Sequence, residues 1–202
     1  MKTVAVVPVK GLAETKGRLA GELYPQERSV LTLETLAHVL GAIQASGVID
    51  HVAVITPDAE ELDLPSTVHI IKQTRNGLNN LLEQGRQWAE QMRADALLIT
   101  FADLPLLTPG DVAAMVAMGE ERNTVVLAPD RHKQGTNMLL THPVQLAQFS
   151  FGENSYSRHK ELNRAQADAV ESYFSDGTSI DIDTPDDLAL LGVRVWGLGV
   201  GC

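Results

Sequence analysis

The sequence predicts an α/β fold, a mostly parallel sheet with helices on both faces. Three observations predict it. Short apolar runs alternate with helical patterns through the first half of the chain, the order that builds a parallel sheet through crossover helices. The most apolar run, residues 96–101 (Ala-Leu-Leu-Ile-Thr-Phe), is continuous rather than alternating, as a central strand covered on both faces requires. The first run, residues 4–9, stops abruptly in a loop bearing two glycines and three cations, after which a helical pattern begins.

Taken in order, residues 4–9 form the first strand. Residues 26–45 place Val30, Leu33, Leu36, Ala37, Leu40 and Ile43 on one helical face, and Gly47 closes that helix. Residues 52–56 are a second strand, ended by Thr56-Pro57-Asp58, and residues 68–71 a third. Leu78, Leu81, Leu82 and Trp88 sit at helical spacing through residues 78–92. After the central strand, Thr108 as N-cap and Pro109 in the first turn start another helix. Residues 124–128 and 136–140 read as strands, 154–167 as a helix, 169–174 as extended and 179–182 as a short strand. Thr184 before Pro185 opens a last helix, to residue 191. No linker, repeat or low-complexity stretch interrupts residues 1–191, which are assigned to one domain. Residues 192–202 form a tail with four glycines and little pattern.

The 202 residues carry a net charge of −10, with 44% hydrophobic and 21% charged side chains. So acidic a chain is a poor general binder of nucleic acid, and an anionic ligand must be met by a local basic site or through a divalent metal. One cysteine, Cys202, leaves no internal disulfide and no multi-cysteine zinc site. No apolar run is long enough for a membrane span, and the N-terminus enters a strand without a signal-peptide pattern. The cytoplasm is therefore the expected compartment. The expected partners are small-molecule substrates, with no nucleic acid and no membrane, and a homodimer is left open.

Chemistry gathers in four places. The loop after the first strand contains Lys10, Gly11, Lys16, Gly17 and Arg18. Its backbone N–H groups, a following helix N-terminus and its cations suit phosphate, although it matches neither G-x-x-x-x-G-K-[ST] nor G-x-G-x-x-G and also reads as a solvated basic turn. Asp103 follows the central strand, where open α/β sheets bind ligands, and a carboxylate there suits magnesium bridged to substrate phosphates. In Asp181-Ile182-Asp183-Thr184-Pro185-Asp186-Asp187, alternation puts Asp181 and Asp183 on one side. Asp186 and Asp187 sit in a helix's first turn, where acids favour the dipole whatever the function. Gly135-Thr136-Asn137 and the stretch Gly152, Ser155, Arg158, His159 offer hydroxyls, N–H groups and charge for a small anion, although composition alone reads Gly152 to Ser155 as a turn and cap. Asn76-Gly77-Leu78-Asn79 is a turn and helix start. No serine lies in a G-x-S-x-G elbow, so serine-hydrolase chemistry finds no support.

These motifs, in this order and across residues 3 to about 191, resemble the guanylyltransferases of deazaflavin-coenzyme (F-420) biosynthesis, which use 2-phospho-L-lactate or phosphoenolpyruvate. The resemblance implies a Rossmann-like sheet of the nucleotide-diphospho-sugar transferase type. It implies that Lys10, Gly11, Lys16 and Arg18 hold the phosphates of GTP, with Gly77 and Asn79 near the nucleotide. Asp103 and Asp183, with Asp181, would bind Mg2+. Thr136, Gly152 and Ser155 would hold the small phosphorylated acid, and Lys16, Arg18 and Asp103 would carry catalysis. Two positions depart from the pattern: Gly17, where a Ser or Thr hydroxyl is expected, and Met138, where a small Ala is usual. A nucleotidyltransferase acting on 3-phosphoglycerate, a sugar phosphate or a molybdopterin is the alternative enzyme. A non-catalytic GTP-sensing module is the alternative outside catalysis.

Overall fold

The computed structural model describes residues 1–12 and 15–190. The expected tail, residues 192–202, and residue 191 lie outside them. Seven strands form one sheet: β1 (Thr3–Pro8), β2 (His51–Thr56), β3 (Val68–Lys72), β4 (Ala96–Thr100), β5 (Thr124–Pro129), β6 (Thr136–His142) and β7 (Ala169–Ser172). The order is β3-β2-β1-β4-β6-β5-β7. β1 pairs parallel with β2 and β4, β2 with β3, and β5 with β7. Only β6 runs against its neighbours, β4 and β5. Its start therefore lies beside the C-terminal end of β4, where Phe101 N donates to Asn137 O (3.4 Å). The first four strands in space thus end together, and β6 begins among those ends.

The helices are α1 (Pro25–Ala45), α2 (Leu78–Gln91), α3 (Pro109–Met118), α4 (Ser155–Arg164), and the short α5 (Asp176–Ser179) and α6 (Pro185–Leu190). Alternate residues of β1 feed two cores. Ala5 and Val7, with Val9 just past the strand, pack with Leu36, Leu40 and Ile43 of α1 and Met115 of α3. Val4 and Val6 pack with Leu81 and Leu82 of α2 and Tyr156 of α4. Both faces are covered, which is why β1 and β4 read as unbroken apolar runs.

Three local expectations need correction. The buried face of α1 is rotated: Leu36, Leu40 and Ile43 are inside, but Val30, Leu33 and Ala37 are exposed. Thr32 and Thr35 take the inward places, their hydroxyls donating to Arg28 O (2.9 Å) and Leu31 O (2.9 Å). Back-bonding to the helix satisfies a buried hydroxyl, so residues counted as polar lie inward. The second correction is at residues 179–182, which do not form a strand. Ser175 caps the helical turn α5, its Oγ accepting from Thr178 N (3.1 Å), and an extended segment follows. Third, the basic loop does not lead straight into a helix. A single 3-10 turn, Gly17–Leu19, intervenes before α1 begins at Pro25, so no long helix places its N-terminus against the loop's cations. The cap expected at Thr108 is present: its Oγ1 accepts from Asp111 N (3.1 Å), and Asp111 returns the contact. Gly47, at φ 68, follows α1 in the left-handed conformation that closes a helix.

Two helical glycines make opposite predictions. A Cβ on Gly85 would stand 2.8 Å from Val6 Cγ1 and 3.0 Å from Ile55 Cδ1, because α2 lies directly on β1 and β2; a Cβ on Gly41 would meet no described atom within 4 Å. Gly41→Ala should stabilise by roughly 0.5–1 kcal/mol through helix propensity. Gly85→Ala should instead destabilise by about 1–3 kcal/mol through overpacking. Urea unfolding midpoints of the two variants check both signs.

Candidate active site

A cleft of about 740 Å³ opens at the C-terminal ends of the parallel strands. Pro8 to Gly11 after β1, Pro57 and Asp58 after β2, and Phe101 to Asp103 after β4 form much of its wall, with Asn76 to Leu78 ahead of and into α2. Asn137 enters from the start of the reversed strand β6, and Asp181 and Asp183 from the segment after α5. Placement beyond strand ends is what an open α/β sheet provides, because the chain there is free of the ladder.

Lys16 is the centre of this wall. Its backbone is left-handed, at φ 51, and its side chain is only 4% exposed. The Nζ donates to Asp103 Oδ2 (3.2 Å) and to the carbonyl of Ile182, and lies 3.9 Å from Asp183 Oδ1. Arg18 Nη1 reaches Asp183 Oδ2 at 3.5 Å from a largely exposed position. Ile182 N donates to Asp103 O (3.0 Å), and the Ile182 side chain is buried with Leu19, Leu23 and Leu188. The segment is coil rather than strand, yet it is extended. Side chains still alternate, so anchoring Ile182 inward turns both Asp181 and Asp183 toward the cleft.

The three carboxylates feel one another. Burial, and then the charges of Asp103 and Asp183, push the Asp181 carboxyl up to about 6. Burial and Asp103 also raise Asp183, against the opposing pull of Lys16, Arg18 and Lys10. Among the described residues, no three His, Cys, Asp or Glu side chains converge as a ready metal cage. Hard oxygen donors gathered against their own repulsion nonetheless suit Mg2+, which takes one or two carboxylates and completes its shell with phosphate and water. Asp187 serves a different purpose. Its Oδ2 accepts from Asp183 N (3.0 Å), Thr184 N (2.7 Å) and Thr184 Oγ1 (2.8 Å), while Oδ1 pairs with Arg131 Nη2 at 2.6 Å. It fixes the backbone that carries Asp183.

The other expected site residues fall into two groups. Lys10, Gly11 and Gly77 line the cleft. Asn79 does not: its side chain clamps the Phe151 backbone, accepting from Phe151 N (2.8 Å) and donating to Phe151 O (3.3 Å). Thr136, Gly152 and Ser155 come together, but outside the cleft lining, with Thr136 and Ser155 buried and Gly152 exposed. Ser155 Oγ lies 3.3 Å from Thr136 Oγ1, and Ser155 N donates to Gly152 O (3.1 Å). Gly152 has φ 118, which a side chain would strain. His159, fully buried, completes this group. Its Nε2 accepts from Ser150 N (3.0 Å), so Nδ1 carries the proton and donates to Thr136 Oγ1 (3.0 Å). Phe101, on the cleft wall, meets Phe151 edge to face at 5.3 Å, and Phe151 meets the His159 ring at 4.6 Å.

At the two departures, a Cβ on Gly17 would meet no described atom within 4 Å, so crowding does not exclude a hydroxyl there. Met138 is fully buried in the core with Ala102, Leu104 and Ala128; it is a packing residue and does not line the cleft. Asn137, part of the Gly135-Thr136-Asn137 motif, lines the cleft, and so do Asp58, Phe101, Thr32 and Thr35, which were not offered as site residues. Their signal was only positional: each follows a strand, begins one, or sits on the inner face of α1.

The family model for guanylyl transferases of the CofC-like type matches residues 3–197. The chain belongs to that family. It is 41% identical over 190 residues to a phosphoenolpyruvate guanylyltransferase of Sphaerobacter thermophilus, covering 93% of this chain and 91% of that protein. It is 38% identical to one of Rubrobacter xylanophilus, covering 95% and 94%. A 2-phospho-L-lactate guanylyltransferase of Methanothermobacter thermautotrophicus is 32% identical, covering 93% and 83%. Among solved structures, a candidate nucleotide-diphospho-sugar transferase of Desulfovibrio desulfuricans G20 superposes with a TM-score of 0.74 at 15% identity, covering 95% of this chain and 87% of that one. That likeness bears out the expected fold type. No described helix of this guanylyl transferase family member is long and apolar enough to cross a membrane.

Burial, followed by the charge of Arg158, lowers His159 from its ordinary 6.5 to about 4. The unfolded chain therefore takes up the proton at a higher pH than the folded one. Folding stability should be full above about pH 6.5 and fall as pH drops toward 4, by up to about 3 kcal/mol. Urea midpoints against pH should show this loss in the wild type, and His159→Gln should flatten it.

Proposed function

We propose that this cleft transfers GMP from GTP to a small phosphorylated carboxylic acid, releasing pyrophosphate, in the making of a deazaflavin coenzyme. Phosphoenolpyruvate is the favoured acceptor and 2-phospho-L-lactate the second. The observation that carries the reading is the meeting of Lys16 with Asp103 and Asp183 on the wall of a cleft sized for a nucleotide, in a chain of a guanylyl transferase family. The relatives of highest identity given above, named for phosphoenolpyruvate, support the acceptor.

The chemistry asks for positioning and charge rather than for a base. The acceptor is a phosphate monoester, already anionic near neutral pH. Its oxygen forms a bond to the α-phosphorus of GTP, the bond from that phosphorus to the bridging β-oxygen breaks, and pyrophosphate leaves with the electron pair. No proton need move. Two polyanions must be held together, and Lys10, Lys16 and Arg18 supply the opposing charge, with Gly11 letting the backbone approach. Arg18, three-quarters exposed, is free to turn from Asp183 to a phosphate. Gly77 lies beside the nucleotide, while Asn79 acts by holding Phe151 in place. Thr136, Gly152 and Ser155 take the acceptor, the Thr136 hydroxyl already oriented by the neutral His159. Mg2+, held by Asp103 and Asp183 with Asp181 beside them, would neutralise phosphate charge when bound.

Pyrophosphate release should be followed with GTP, Mg2+ and, in turn, phosphoenolpyruvate, 2-phospholactate and 3-phosphoglycerate. The fastest release is expected with phosphoenolpyruvate. Release with none of the three, while GTP still binds, would overturn the reading. Asp103→Asn should fold normally and lower kcat by roughly 100-fold or more, the scale for losing a main electrostatic stabiliser.

A further inference from the structure

We propose that Asp58 reads the Watson–Crick edge of the guanine base, and so selects GTP over the other nucleotides. The inference rests on the reading of the cleft as a site for GTP.

Position comes first. Lys16, Asp103 and Asp183 gather on the β4 side of β1, whereas Asp58 follows β2 on the other side. Strand spacing puts roughly 10 Å between the chain after β2 and the chain after β4. That is longer than the reach from an α-phosphate to the ribose hydroxyls. It matches the reach to the far edge of the base in an extended nucleotide. With phosphate beside Lys16, the base falls beside Asp58.

Chemistry then chooses the base. A carboxylate repels phosphate, so it must face an uncharged donor. Guanine presents N1–H and its 2-amino group side by side, and a carboxylate accepts such a pair with its two oxygens. Adenine presents an acceptor at N1, and neither pyrimidine offers two adjacent donors on that edge. Pro57, Leu78 and Leu81 also line the cleft, apolar surface suited to a flat ring.

The carboxylate is also held. Asp58 Oδ2 accepts from Leu12 N at 2.6 Å, and Asp58 N donates to Thr56 Oγ1 at 3.2 Å. A Cβ on Gly11 would lie 3.5 Å from Pro57 Cγ and 3.7 Å from Asp58 Oδ2, so the phosphate loop packs against the residue that reads the base. Among the described residues no donor meets Asp58 Oδ1, which remains available with the second lone pair of Oδ2.

Asp58→Asn separates reading from bracing. Its amide oxygen can keep the Leu12 contact, while its NH2 turns toward the base, where it repels the 2-amino group of guanine and suits the 2-oxo group of xanthine. Calorimetric titration with GTP, XTP, ITP, 2′-deoxy-GTP, ATP, CTP and UTP, each with Mg2+ and no acceptor, tests this. The wild type should bind GTP at least tenfold more tightly than XTP or ITP. The variant should bind GTP roughly 10- to 100-fold more weakly and prefer XTP. Equal weakening of GTP and XTP, an unchanged ratio, or a loss confined to discrimination against 2′-deoxy-GTP would overturn the assignment. Wild-type parity of ITP with GTP would overturn it without any variant. Preference of the wild type for ATP, CTP or UTP would instead overturn the guanylyl reading of the cleft itself.

Discussion

The ammonium of Lys16 holds the site together. Four per cent exposed and set between Asp103 and Asp183, it would cost several kcal/mol to bury unpaired. The two carboxylates and the Ile182 carbonyl offset that cost. Because its partners come from two other places, the loop after β1 that carries it, the end of β4 and the segment after α5 are fixed relative to one another by one side chain. The same arrangement sets up the chemistry. Cations and carboxylates stand in contact on the cleft wall, so under the proposed function phosphate and metal would enter by exchanging partners.

What keeps that centre in place lies one layer out. Ile182 is anchored by its backbone to Asp103 and by its side chain to Leu19, Leu23 and Leu188. Asp187, paired with Arg131, ties down the N–H groups of Asp183 and Thr184. Hydrogen bonds from those groups hold the Asp187 carboxyl below the usual carboxylate range although burial opposes them. An acid in the first turn of a helix thus helps fix the backbone of Asp183, four residues before it on the cleft wall. Beyond the cleft lining, Thr136, Ser155 and His159 form a closed polar network. The single tautomer of His159 decides which way the Thr136 hydroxyl is addressed.

Much of this was legible in the residues. The unbroken apolar runs of β1 and β4 announced a sheet covered on both sides, and Asp103 at the end of the most apolar strand stands in the cleft. Asp181 and Asp183 share a side as expected, though for a different reason: an extended coil alternates as a strand does, and Ile182 is its inward anchor. What resisted reading was set by tertiary contact. Residue types do not say that β6 runs against its neighbours, and only that reversal brings Asn137 to the cleft. Thr32 and Thr35 look like outward residues until their hydroxyls bond back to the helix. Asn79 looks like a nucleotide contact, yet holds Phe151. Asp58 looks like a turn residue, because the sequence does not show that β2 ends beside the basic loop after β1.

The most direct test is a crystal structure with GTP and Mn2+, using the anomalous signal of manganese to mark the metal. The account predicts one strong peak between Asp103 and Asp183, with Lys16 Nζ moved from Asp103 onto a phosphate oxygen. A peak elsewhere, or a triphosphate out of reach of Lys16, would contradict it.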